Sequence, residues 1–337
     1  MNNFKKIGLT ALAASLVSTS AFAGELTVSG SAALNYENYQ AADSTTSASN
    51  GTKAYSMGNQ ITFSGSGELD NGLTVGLSFV LDQGDDTKST ANSATSVAGS
   101  GAPFDGHSIS ISSDSFGSLV YYGEGGDSAQ NAVGDTAAGN IWDLWDGRNG
   151  ANSAMKESNA TNNMFNYTLP SMVDGLTVAA SYVPAGSNDE SDTAYSITYT
   201  GVEGLTASYG AGTNDSAAGT GSNADQSTIK LSYAYGPVTV AYSDHEYDSN
   251  AADTDQDITS YKVSYTVSDA ISISYAAETV DSENSSHIDA EYTRISASYT
   301  AGGMTISGNM SEMEDGTHST ATAGDEEYVG LSVSFAF

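Results

Sequence analysis

Along most of the chain every second residue is large and apolar. In LTVGLSFVL, Leu73, Val75, Leu77, Phe79 and Leu81 share one face, and Thr74, Gly76 and Ser78 the other. LTVAASY (Leu176, Val178, Ala180, Tyr182), VTVAY (Val238, Val240, Tyr242) and ISISY (Ile271, Ile273, Tyr275) repeat the pattern. A period of two marks strands with unlike faces. Short turns such as DNG at 70–72 and VDG at 173–175 join these runs in pairs. Long stretches rich in Asp, Ser, Asn, Gly and Thr separate one pair from the next. The rhythm predicts sixteen strands, at about 25–36, 55–69, 73–82, 106–113, 118–124, 161–169, 176–184, 192–200, 205–211, 227–235, 238–247, 258–267, 271–280, 290–300, 304–313 and 326–337.

Such a set can build a soluble array, with its apolar face as core, or a barrel whose apolar face meets lipid. Three features favour the barrel. Turns are short at one end and loops long at the other. Tyr182, Tyr209, Tyr235, Tyr242, Tyr265, Tyr275 and Tyr299 lie near strand ends on the apolar face, where interfacial girdles belong. The opposite face is Ser, Thr, Ala, Gly and Asn, too small to fill a core. The fold class expected is all-β, a 16-stranded antiparallel transmembrane β-barrel with short periplasmic turns and long extracellular loops. The ending EEYVGLSVSFAF, with Val329, Leu331, Val333, Phe335 and Phe337 on one face, predicts a last strand pairing with the first, in ELTVSGSAALNY. A closed sheet leaves no edge in hydrocarbon.

The start of the chain reads as an export signal. Lys5 and Lys6 precede an apolar run from Ile7 to Val17, and Ala21-Phe22-Ala23 supplies small residues at a cleavage site. Residues 1–23 are expected to be removed, leaving 24–337 as a single barrel domain. No later run approaches the ~20 apolar residues of a spanning helix. Cysteine is absent, which excludes a disulfide scaffold. Forty-one acidic residues face nine basic ones, and losing two lysines with the leader takes the net charge from −32 to −34. That excludes nucleic acid as a partner, because phosphate contacts need a basic surface.

The signal, the GELTVSGSAALNY opening, the sixteen-strand rhythm and the terminal Phe337 together resemble the bacterial outer-membrane general porins, in particular the alphaproteobacterial, Rhodobacter-type members. The resemblance implies a homotrimer in the outer membrane of a Gram-negative bacterium, amid outer-membrane lipid and lipopolysaccharide. It implies a third long loop folded inward as a constriction. It also implies a C-terminal signal, Phe335 and Phe337, read by the barrel-assembly machinery. The chain departs from the family in having few Arg and Lys and very acidic loops, which weighs against a basic wall facing an acidic loop.

The third long loop, 125–160, is the longest and holds both tryptophans. Its acids Asp127, Asp135, Asp143, Asp146 and Glu157 are the expected acidic side of a constriction. Trp142 and Trp145 are its expected anchors on the wall. Lys230, Lys262 and Arg294 alternate with lipid-facing neighbours, so they point inward, about five residues before their turns, and are the expected basic side. Asp253, Asp255 and Asp257 in DTDQD are spaced like a calcium loop but lack its Gly and closing Glu. They suggest at most loosely held Ca or Mg, and no cofactor is expected. The four histidines show neither metal nor triad spacing, and no enzyme is expected. The function expected is passive diffusion of small hydrophilic solutes with a modest preference for cations. A substrate-selective porin with a binding site at the constriction, or a surface or adhesin barrel, are the alternatives.

Overall fold

A computed structural model describes residues 26–41, 53–82, 104–145, 162–185, 191–214, 223–250, 254–282, 284, 286–318 and 324–337. The leader therefore lies outside the described residues. The strands are β1 (Thr27–Ala41), β2 (Lys53–Glu68), β3 (Thr74–Asp82), β4 (Gly106–Ser113), β5 (Gly117–Glu124), β6 (Met164–Thr168), β7 (Leu176–Val183) and β8 (Asp192–Tyr199). They continue with β9 (Leu205–Asn214), β10 (Ala224–Tyr235), β11 (Val238–Ser249), β12 (Gln256–Ser268), β13 (Ile271–Ser282), β14 (Ala290–Ala301), β15 (Met304–Glu314) and β16 (Glu326–Ala336). Each strand pairs antiparallel with its neighbours in sequence, and β16 pairs with β1, from Ser31↔Ala336 to Ala41↔Glu326. The sixteen described strands form one closed barrel.

The end of the last strand is fully paired. Gly30 N–H donates to the Phe337 carbonyl (2.8 Å) and Phe337 N–H donates to the Gly30 carbonyl (3.0 Å). The Phe337 ring lies over Gly30, where a Cβ would meet it at 2.7 Å. The opposing glycine thus makes room for the terminal aromatic on the outer surface.

The outer face carries the expected apolar residues. Leu34, Leu77, Ile109, Ile229, Val263, Ile273, Ile295 and Leu331 are all exposed. Tyrosines pair along this face: Tyr242 with Tyr261 at 5.2 Å, and Tyr195 with Tyr209 at 6.2 Å between ring centroids.

β1, β2, β9 to β13 and β15 run further at their long-loop ends than the alternation indicates, whereas β6 is shorter, Met164–Thr168 against the expected 161–169. β12 has 13 residues, against the roughly 9–11 that cross hydrocarbon when tilted. There the polarity of the faces inverts. Asp257 is exposed on the outer face of β12, whereas Ile258 on the inner face is fully buried. Val280, Ala290 and Tyr292 on the inner faces of β13 and β14 are buried too. Above the lipid the outer surface meets water, while the inside receives a folded loop, so each face changes its chemistry. This inversion also explains why β1 reaches Ala41 and β10 starts at Ala224, beyond the apolar-out pattern.

Candidate functional site

The register groups inward side chains into rows across the strands. One row runs Lys230 (β10), Ser243 (β11), Ser260 (β12), Glu278 (β13) and Tyr292 (β14). The next row toward the short turns runs Ser232, Ala241, Lys262, Ala276, Arg294, Ser311, Tyr328 and Tyr39. The third long loop, described over 125–145, is laid across these rows inside the barrel.

Its backbone bonds to the wall in order along the sequence. Ala129 N–H donates to Ser181 Oγ (2.9 Å), Ala137 N–H to Ser243 Oγ (2.7 Å) and Ala138 N–H to Ser260 Oγ (2.8 Å). Gln130 Nε2 donates to Thr228 Oγ1 (2.9 Å), whose oxygen also lies 2.7 Å from His245 Nδ1. Glu278 is the central acceptor. The Thr136 hydroxyl donates to its Oε1, and Trp142 N–H donates to its Oε2 at 3.1 Å. Arg294 Nη1 donates to the Gly139 carbonyl (3.3 Å), and the Tyr39 hydroxyl to the Leu144 carbonyl (3.0 Å). Ser243, Ser260, Thr228 and Glu278 are each at least 99 % buried, so these contacts exclude water. A bond made in such surroundings is costly to break, because the stranded partner cannot be resolvated.

Apolar packing completes the docking. Ile141, Trp142 and Trp145 lie in a 3-10 turn and pack with Ile258, Val280, Tyr292, Met313 and Tyr328. The Trp145 and Tyr292 rings are 5.6 Å apart. At Gly210 on β9, a Cβ would strike Val133 at 2.6 Å and the Gln130 backbone at 3.1 Å. The bare backbone there lets the loop approach the wall.

Three of the loop acids face away from the wall. Asp127, Asp135 and Asp143 are exposed, while Ser128–Gln130, Thr136–Ala138 and Ile141–Trp142 between them are buried. Asn131 Nδ2 donates to Asp127 Oδ1 (3.2 Å), and Asn140 Nδ2 to Asp135 Oδ1 (2.9 Å), which holds those carboxylates in place. Asp146 and Glu157 lie outside the described residues.

The three cations point inward, but they sit on the wall that carries the loop. Lys262 and Arg294 stand on either side of Ala276, and Lys230 lies two residues from Ser232, which is in line with them. Asp135 and Lys262 both act electrostatically on Lys230, and Glu278 and Asp143 on Arg294. The sequence expectation set acids and bases as two sides of a gap. The structure makes Asp135 a neighbour of Lys230 and Asp143 a neighbour of Arg294 instead, because this part of the loop folds onto the strands that bear the bases, while Asp127 lies beside Asn166 of β6. Across the lumen an uncharged patch, Ser64, Ser66, Gly76, Ser78, Ser108 and Ser110, lines an open hollow of about 320 Å³ on β2 to β4, with Glu68 and Asp82 on the same parity at the strand ends.

The rim sets carboxylates side by side. Asp253 lies outside the described residues. Asp255 Oδ1 accepts from Ser249 N–H (2.8 Å), and Asp257 stands opposite Glu246 and Asp281 on the outer face. Among the described residues no three His, Cys, Asp or Glu are grouped to hold a metal. Burial and the neighbouring Asp281 push the Asp289 carboxyl upward at this rim. His287 and His318, far apart in sequence, stack at 5.2 Å.

Sequence reasoning passed over Glu278 and the serines that receive the loop. Glu278 did carry a signal, being a carboxylate on the inward parity of a strand whose Tyr275 and Ile273 face out. The inward aromatics Tyr39, Tyr292 and Tyr328 carried none, since their neighbours no longer alternate.

Comparison with known proteins gives one consistent result. A model of the Gram-negative porins matches residues 8–306. An anion-selective porin from Comamonas acidovorans superposes with a TM-score of 0.70 at 14% identity, over 93% of this chain and 100% of its own. A variant of the Rh. blastica porin gives 0.62 at 16% identity, with the same coverage of both chains. A porin structure refined at 1.8 Å gives 0.63 at 19% identity, again over 93% of this chain and all of its own. No curated protein matches the sequence.

Proposed function

The chain belongs to the family of Gram-negative porins and is an outer-membrane channel, and on that premise we propose that it passes small hydrophilic solutes with a modest preference for cations. The observation that carries the preference is the loop's exposed face. Asp127, Asp135 and Asp143 are exposed on the loop, Asp135 near Lys230 and Asp143 near Arg294, while the Ser and Gly lining the hollow on β2 to β4 are uncharged. Asp127, Asp135, Asp143, Asp146 and Glu157 act as the acidic side of the constriction, and Lys230, Lys262 and Arg294 temper it locally. The acidic mouth adds to the effect by concentrating cations before entry. At ~0.15 M salt the Debye length is ~8 Å, so the preference falls as salt rises.

The same proposal includes a homotrimer, cleavage of residues 1–23, insertion by the barrel-assembly machinery through Phe335 and Phe337, and lipopolysaccharide around the rim. Calcium or magnesium held loosely between rim carboxylates and that lipid belongs to it too. The channel needs no cofactor and catalyses nothing. Reversal potential in a planar bilayer across a KCl gradient tests the reading. A potential of the cation-selective sign is expected, shrinking with salt; an anion-selective sign would overturn it.

A further inference from the structure

On the short-turn side of the docked loop, β12 to β15 enclose a cavity of about 260 Å³. Its roof is Ala138 of the loop, and its upper wall carries Lys262 and Arg294. These two flank Ala276, so their backbones are two strand spacings apart, ~10 Å. Ala276 between them is buried in one cluster with Ala138 of the loop, so the open space lies on the short-turn side of these two cations. Ser264, Ser274 and Ser296 form the next row down, directly in line through the sheet register. Ser272 and Ser298 follow below, their hydroxyls 2.8 Å apart. No carboxylate lines this cavity, in a chain with 41 acidic residues.

We infer that this cavity is an oxyanion site that takes a phosphate group, as inorganic phosphate or as the phosphomonoester of a small solute. Two cations offer charge from both sides, and hydroxyl donors rise from a third direction. A tetrahedral anion with several acceptor oxygens uses all of these, and a planar carboxylate uses fewer. The Lys262 ammonium has no hydrogen-bond or ion-pair partner among the described residues. The Arg294 guanidinium gives Nε to Ser311 and Nη1 to Gly139, which fixes its plane and leaves further N–H groups for a ligand. Glu278 shares the charge of Arg294, but its own oxygens are committed to Thr136 and Trp142. The site gives an otherwise cation-favouring lumen a foothold for anionic solutes just past the docked loop. This inference rests on the channel reading.

The test is single-channel conductance at constant ionic strength while chloride is replaced by inorganic phosphate, and in a second arm by glycerol phosphate. Saturable block is expected from whichever source the site serves. In Lys262→Gln the half-blocking concentration should rise about tenfold, as expected for losing bonds to a charged group. The triple variant Ser264→Ala, Ser274→Ala, Ser296→Ala should weaken block further without moving the loop. Arg294 is left intact because it also holds Gly139. A conducting barrel with no saturable block, or with equal block in Lys262→Gln, overturns the anion site and leaves the channel reading standing. A purified barrel that does not conduct overturns the channel reading. The anion site is then decided by phosphorus NMR line broadening of phosphate on adding the barrel, which must vanish in Lys262→Gln.

Discussion

On β2 to β4 the inward positions at the open hollow are Ser64, Ser66, Gly76, Ser78, Ser108 and Ser110, and nothing described covers them. On β11 to β14 the inward positions are Ser243, Ser260, Glu278, Arg294, Ile258, Val280 and Tyr292, and the third loop covers them. Both walls contain serine, so serine alone does not decide which one receives the loop. The covered wall adds a carboxylate that accepts two loop donors, a guanidinium that binds a loop carbonyl, and an apolar strip for two tryptophans. The bare wall offers hydroxyls that water serves equally well. A segment folds inward where its backbone groups find partners that compensate for lost water. The open lumen is what remains on the other side.

Breaking the covered wall should give the larger effects. Deleting 135–145 removes the loop's anchors and most of its contacts, and conductance should rise severalfold in a barrel that still shifts on heating in gels. Glu278→Ala strands the Thr136 hydroxyl and the Trp142 N–H in a buried place, at a cost of about 1–3 kcal/mol. The loop should then undock part of the time, read as a noisier and higher mean conductance. Glu278→Gln keeps an acceptor and should fall between wild type and Glu278→Ala. Gly210→Val forces Gln130 and Val133 off β9 and should produce a smaller disturbance of the same kind. Lys230→Gln with Lys262→Gln leaves the loop's hydrogen bonds intact and should only strengthen cation preference, by an amount that fades at high salt. Substitution of Ser64 by Thr on the bare wall, which touches no loop residue, should change none of these readouts measurably.

Much of this architecture was legible in the alternation. Leu73 to Leu81, and the run from Val329 to Phe337, fix strands, faces and closure without reference to any other residue, because lipid on one side and water on the other impose a strict period of two. The inward parity of Lys262 and Arg294 follows from Val263 and Ile295 beside them. The rest depends on partners distant in sequence. Ile258 and Val280 are apolar on the inward face because Trp142 and Trp145 sit against them, and no local pattern announces that contact. The acids and bases looked like opposing sides because parity tells which face a residue occupies and says nothing of where around the barrel a loop will settle. Only the pairing of Ala137, Ala138 and Trp142 with β11 to β13 settles that question.

The comparison of the two walls is tested most directly by reactivity, since the chain has no cysteine of its own. Ser110→Cys on the bare wall and Ser260→Cys beneath the loop place one thiol on each side of the lumen. With a small, charged, water-soluble thiol reagent, the account predicts rapid modification of Ser110→Cys, with a drop in conductance. It predicts slow or no modification of Ser260→Cys until Glu278→Ala is added. Equal reactivity at the two positions in otherwise unaltered barrels would contradict it.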